Sequence, residues 1–194
     1  MIINTQIKGS GSTPAGKYQL LQRITDDSNN EIGTVCGFIK DSNNTEYAVV
    51  CLDAQYRTGT SDYATWGYGS VTGHPDSSAW DNTETATENC AHITGTPVSN
   101  CKANSFVIGG QTYTGLLPVV KELAFIAMHR TAINTLDPTA TTYSDRIIGA
   151  VYSWASTAYN NNAAWYWSAT YGDMLSKSTS NTSGSIPILE LPNE

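Results

Sequence analysis

The chain has 194 residues, 40% hydrophobic and only 14% charged, and 25 Thr, 19 Ser, 15 Asn and 16 Gly occupy 75 of its positions. That length can bury one core, and five Trp and eleven Tyr supply apolar bodies that a disordered chain lacks. Ten basic against 17 acidic residues leave a net charge of −7, which argues against nucleic acid or an anionic membrane as partner and leaves hydroxyls and amides as the surface chemistry.

Met1 to Lys8 has no basic stretch followed by an apolar one, so it does not read as a secretory signal. The longest apolar run, Ala124 to Met128, is far too short to span a bilayer. Gly9 to Gly16 is rich in Gly and Ser, so residues 1–17 are expected to be an attachment peptide and linker before a domain over 18–194. Strands are expected near 18–24, 32–39 and 46–52, the last two forming a hairpin around the polar loop Asp41 to Glu46. Pairing Lys40 with Tyr47 sets Cys36 opposite Cys51 on one sheet face, either as two buried thiols or as a cross-strand disulfide. A long loop bearing Gly, Tyr and Trp then runs from Tyr56 to Trp80.

Asp81 with Glu84 three residues on gives a first helix a capping-box start, with Ala86, Cys90 and Ile93 as its inner stripe. Cys90 falls at the end of that helix and Cys101 in the loop after it, bonded or free according to the redox compartment. Pro118 suits the first position of a second helix, Val119, Leu123, Ile126 and Ile133 recur at helical spacing, and Asp137-Pro138 stops it. Beyond Ile147 the chain is strand-like and aromatic at 152–154, 164–169 and 186–191, with Asn- and Ser-rich turns at 159–162 and 176–185. Two helices between an early hairpin and late strands read as α+β.

His74, His92 and His129 lie far apart with no metal-ligand spacing. No C-x-x-C, G-x-S-x-G, P-loop or dinucleotide fingerprint occurs. The expectation is a protein that is not an enzyme, with no catalytic residue, metal or cofactor.

Several segments, in order, resemble the C-type-lectin-like domains of bacteria and phages. Gly33-Thr-Val-Cys-Gly-Phe-Ile-Lys-Asp-Ser42 with the returning Tyr47 to Leu52 is similar to their opening "GvvFyvd…hGLiva" hairpin. Asp81 to Cys90 resembles the first helix, whose "NT" start leads to a cysteine, and Gly115-Leu-Leu-Pro118 with Lys121-Glu-Leu123 resembles the "W-x-LPs-x-x-EL" lead-in to the second. Tyr152 to Ser156 and Asn162 to Tyr166 are similar to the paired "YWSSsE" and "nAWY" strands, and Ile186 to Leu191 to the closing "vRpVraf" strand. The likeness covers roughly residues 30–191. It departs at Ala155, at the missing Trp before the Leu-Pro element, and at Ile186 and Ile188 where the family has arginines. It implies a C-type-lectin-like fold that displays variable side chains for recognition. The calcium-site loops "EPN", "QPD" and "WND" of animal lectins are absent from the corresponding place, and the cysteines do not match those of formylglycine-generating enzymes.

Tyr159, Asn160, Asn161, Asn162, Trp165, Trp167 and Tyr171 crowd into thirteen residues. Trp165 and Trp167 share one face of a strand, where they either fill the core or offer flat surfaces for stacking. The expected ligand-binding set is Tyr159, Asn160, Asn161, Asn162, Trp167, Tyr171 and Asp173. The resemblance further implies a phage fibre or virion decoration protein, a homotrimer by analogy with such fibres, attached to other virion subunits through its N-terminal segment. Its outward partner would be a bacterial surface glycan or protein. The alternatives are a purely structural capsid or tail decoration and a bacterial surface adhesin or pilus subunit.

Overall fold

The computed structural model describes residues 16–57, 64–65, 85–92, 95–142, 146–147, 152–160, 163–168, 172–178 and 182–194. In chain order the elements are β1 (Arg23–Thr25), β2 (Glu31–Lys40), β3 (Glu46–Leu52), a short 3₁₀ turn (Ala54–Tyr56), β4 (Ala64–Thr65), α1 (Ala86–His92), α2 (Thr96–Lys102), β5 (Ser105–Ile108), β6 (Gln111–Thr114), α3 (Val120–Leu136), β7 (Tyr152–Asn160), β8 (Ala163–Ser168), β9 (Asp173–Ser178), β10 (Thr182–Ser183) and β11 (Ile188–Pro192). The strands form sheets β1-β2-β3-β11 and β7-β8-β9 and the two-stranded pairs β4–β10 and β5–β6, with every strand pair antiparallel. The architecture is mixed α+β.

The β2–β3 hairpin forms where expected, but its register differs. Asp41 Oδ1 accepts the amides of Asn43 and Thr45, and Asn44 adopts φ 67°, so the loop closes one residue earlier and Lys40 pairs with Glu46. A bulge between Val35 and Gly37 then leaves Cys36 as the extra residue, and Thr34 rather than Cys36 faces Cys51. Cys36 and Cys51 still reach the same core, and both are free thiols. Gly37 follows the bulge because the Phe125 ring of α3 lies where a Cβ would stand.

Strand alternation divides the four-stranded sheet between two cores. Val49, Cys51 and Ile188 face Leu123, Ile126 and Ile133 of α3, together with Trp165 and Trp167. Ala48, Val50, Leu52, Leu189 and Leu191 face the other way, under Phe106, Ile108 and Tyr113 of the β5–β6 hairpin. That hairpin turns on Gly109 (φ 61°) and Gly110 (φ 78°), two consecutive left-handed residues that suit a two-residue turn. A third cluster joins Cys90 of α1 and Val98 and Cys101 of α2 to Trp154, Ala164 and Tyr166 of the β7–β8 pair.

The first helix also starts later than Asp81. Thr85 Oγ1 accepts the Glu88 amide at 3.2 Å while Glu88 Oε2 accepts the Thr85 amide at 2.8 Å, a reciprocal capping box ahead of Ala86; Asp81 and Glu84 lie outside the described residues. Cys101, expected in a loop, sits in α2, and its thiol and that of Cys90 are free. For α3 the expected stripe of Val119, Leu123, Ile126 and Ile133 is fully buried. Its first amide-capping group is Glu122, whose Oε2 accepts the Val119 amide at 2.8 Å, and Asp137 ends it.

Gly33 sits where strands are pressed together: a Cβ there would crowd the Cys51 carbonyl oxygen of β3 and a Val50 methyl. Gly33→Ala is therefore expected to destabilise the chain by about 1–3 kcal/mol in denaturant unfolding, because a paired backbone cannot move aside cheaply.

Candidate functional site

Strand β8 carries the aromatic segment, and its two neighbours fix where each expected binding residue lies. In β7–β8 the pairs run from Tyr152 with Ser168 to Asn160 with Ala163; in β8–β9 they run from Ala163 with Ser178 to Ser168 with Asp173. The β7–β8 connection is thus at the Ala163 end of β8, and the β8–β9 connection at the Ser168 end. At about 3.3 Å per residue, the six residues of β8 hold these ends on the order of 17 Å apart. Asn160, with Tyr159 beside it in β7, lies at the first end and Asp173 at the second. Asn161, Asn162 and Tyr171 lie outside the described residues. The single patch expected over 159–173 is divided, since the loops before and after one strand must leave from opposite ends.

Trp167 requires a correction. It is completely buried in the core under α3, so its face is not offered to a ligand, and Trp165 is 8% exposed in the same core. The opposite side of β8 is covered too: Ala164 is buried and Tyr166 packs edge-on against the buried Trp154, ring centroids 6.1 Å apart. What β8 does not leave open, β9 does. Asp173, Leu175 and Ser176 are exposed while Met174 packs inward. Sequence reading placed residues 176–178 in a turn. The alternation Asp-Met-Leu-Ser after Gly172 (φ 73°) was the available sign of a strand.

A recess lies at the C-terminal end of α3. A cavity of about 490 Å³ is lined by Thr131, Asn134, Thr135, Asp137, Ala140 and Arg146. Its walls are braced. Asp137 accepts the Ala54 amide at 2.8 Å, Arg57 Nη2 at 3.0 Å and Thr139 Oγ1 at 2.6 Å, while Asn134 Oδ1 accepts the Ile147 amide at 2.8 Å. Thr135 already donates to the Thr131 carbonyl. Two hydroxyls, an amide and an exposed guanidinium suit a polar, hydroxyl-bearing ligand. Sequence reading missed it, although Thr131, Asn134 and Thr135 stand at the spacing of one helix face.

The cysteines are not arranged for chemistry. All four are buried, and burial raises every thiol, Cys51 to about 11 and Cys90 to about 12. Among the described residues no group of three or more His, Cys, Asp or Glu could hold a metal ion. No family model matches the chain, and a search of the curated proteins finds no match.

Two outcomes follow from this placement. Trp167→Ala is expected to cost about 3–5 kcal/mol of stability, whereas Asp173→Ala stays within about 0.5 kcal/mol, both read by denaturant unfolding. A thiol-alkylating reagent at neutral pH should label none of the four cysteines of the native chain and all four after denaturation, counted by mass.

Proposed function

We propose that this chain is a C-type-lectin-like recognition domain, without catalytic activity, carried on a virion as a phage fibre or decoration protein and directed at a bacterial surface glycan or protein. The observation that carries the reading is the joint placement of the resembling segments. The opening motif is the β2–β3 hairpin, the closing motif is β11, and β11 pairs with β3 from Ile188 opposite Cys51 to Pro192 opposite Tyr47. The Leu-Pro lead-in precedes α3, and the two aromatic motifs are the paired strands β7 and β8. The resemblance implies late strands that display side chains for recognition, and β7, β8 and β9 form a sheet of their own.

Burial of all four thiols supports a role other than cysteine chemistry. The surface best suited to a ligand is the outer side of β9, where Asp173 and Leu175 combine a charge with an apolar group 37% exposed. Tyr159 and Asn160, in β7 beside the Ala163 end of β8, are candidates at the other end.

Binding of the full chain to bacterial cells and to a glycan array tests this. Asp173→Ala with Leu175→Ala is expected to weaken binding about tenfold or more, with Tyr159→Ala plus Asn160→Ala reporting on the other end. Binding unchanged by either pair would overturn the site. No binding to cells or glycans would overturn recognition and favour a domain that only packs against other subunits.

A further inference from the structure

Two glutamates far apart in sequence meet inside the protein. Glu190, on β11, accepts the Ala86 amide at 2.6 Å through Oε1 and the Thr87 amide at 3.3 Å through Oε2, so it caps the start of α1. Glu122, in the first turn of α3, accepts the Val119 amide through Oε2. Both are buried, Glu122 completely and Glu190 to 6% exposure. Glu122 Oε1 is a buried oxygen with no donor, and Glu190 is its side-chain hydrogen-bond neighbour. Among the described residues neither carboxylate belongs to a salt bridge.

Two ionised carboxylates cannot share a dry site without a cation. The other titratable groups that bear on the pair do not supply one. They are Cys36 of β2, Cys90 of α1 and Tyr47 of β3, with Glu88 of α1 beyond Tyr47. Among the described residues the cation that acts on Cys90, Lys102, donates to the Cys90 carbonyl at 3.1 Å. A proton on Glu122 Oε1 resolves the difficulty: the orphaned acceptor becomes a donor towards Glu190.

We propose that Glu122 holds a proton at neutral pH and donates it to Glu190, so that the two side chains act as an alkali-sensitive latch that ties the start of α1 to α3 and β11. Loss of that proton to solvent leaves two negative charges in one buried site, and the contact that gives way is Glu190 with the amides of Ala86 and Thr87. Burial first, then the charge of Glu190 and the hydrogen bond to it, push the Glu122 carboxyl well above the usual range, and the amides of Val119 and Ala86 offset this only in part. A carboxyl raised in the folded state binds more protons there than in the unfolded chain. Its stabilisation is therefore complete at acid pH and is lost as pH rises from the ordinary carboxyl range through the folded value.

Denaturant unfolding of the full chain and of Glu122→Gln from pH 5 to 9 tests the latch, because glutamine copies the protonated acid: it accepts from Val119 and donates to Glu190. The wild-type folding equilibrium constant should fall relative to that of Glu122→Gln, by up to tenfold per pH unit inside the titration window. Parallel pH profiles would overturn the proposal. The side-chain carboxyl ¹³C shifts of the wild-type chain decide independently of whether the variant folds. One glutamate in the neutral-acid position at pH 7 upholds the proton on Glu122, and every glutamate ionised there overturns it.

Discussion

The pairing of β11 with β3 is the contact on which the rest of the fold depends. It joins the C-terminal strand to the opening hairpin across the whole domain, and closing so long a loop is entropically costly. The residues of β11 offset that cost in three places. Ile188 enters the core beneath α3, Leu189 and Leu191 enter the one beneath the β5–β6 hairpin, and Glu190 caps α1. The backbone of Ile188 exchanges hydrogen bonds with Leu116 at 2.9 and 3.0 Å, which fixes the lead-in to α3. Beyond the strand, Asn193 accepts the Tyr18 amide through Oδ1 and donates to Glu46 through Nδ2, so the described chain begins against its own end. Loss of β11 would open both cores and uncap a helix together.

How much of this could be read from sequence depends on whether the signal was local. The stripe on α3 and the Asp137-Pro138 stop are properties of one segment, and they were legible. The hairpin was legible as a hairpin. Its register was not, because the Asp41 loop and the bulge at Cys36 each shift the pairing by one and a pairing sum carries only one value. The start of α1 moved because two T-x-x-E or D-x-x-E boxes, at 81–84 and 85–88, stand back to back. Helix α2 and strands β5 and β6 are short, four to seven residues. Their stability comes from Phe106 and Val98 packing on distant elements, which no window of sequence contains.

The candidate site shows the same limit more sharply. Alternation correctly placed Trp165 and Trp167 on one side of a strand, but it cannot say which side faces solvent when both are covered. Here α3 lies over one face of β8, and the α1–α2 cluster over the other. Residue proximity in sequence suggested one patch. Antiparallel connectivity, with β8 between β7 and β9, puts the two turns at opposite ends, so closeness along the chain becomes distance in space.

The unusual composition has a second explanation that lies inside the molecule. Thr34, Thr85, Asn89, Ser153, Ser156, Thr157, Ser168, Ser183, Ser185 and Asn193 are all buried, and several act on backbone that regular pairing leaves over. Thr157 Oγ1 accepts the Val120 amide at the start of α3, Ser153 Oγ accepts the Ile186 amide ahead of β11, and Asn193 Oδ1 accepts the Tyr18 amide. Among the described residues, many short elements joined by irregular chain leave backbone amides that must find partners on burial. Small neutral side chains supply those partners without the desolvation cost of ions. Part of the abundance of Ser, Thr and Asn is therefore used inside the molecule.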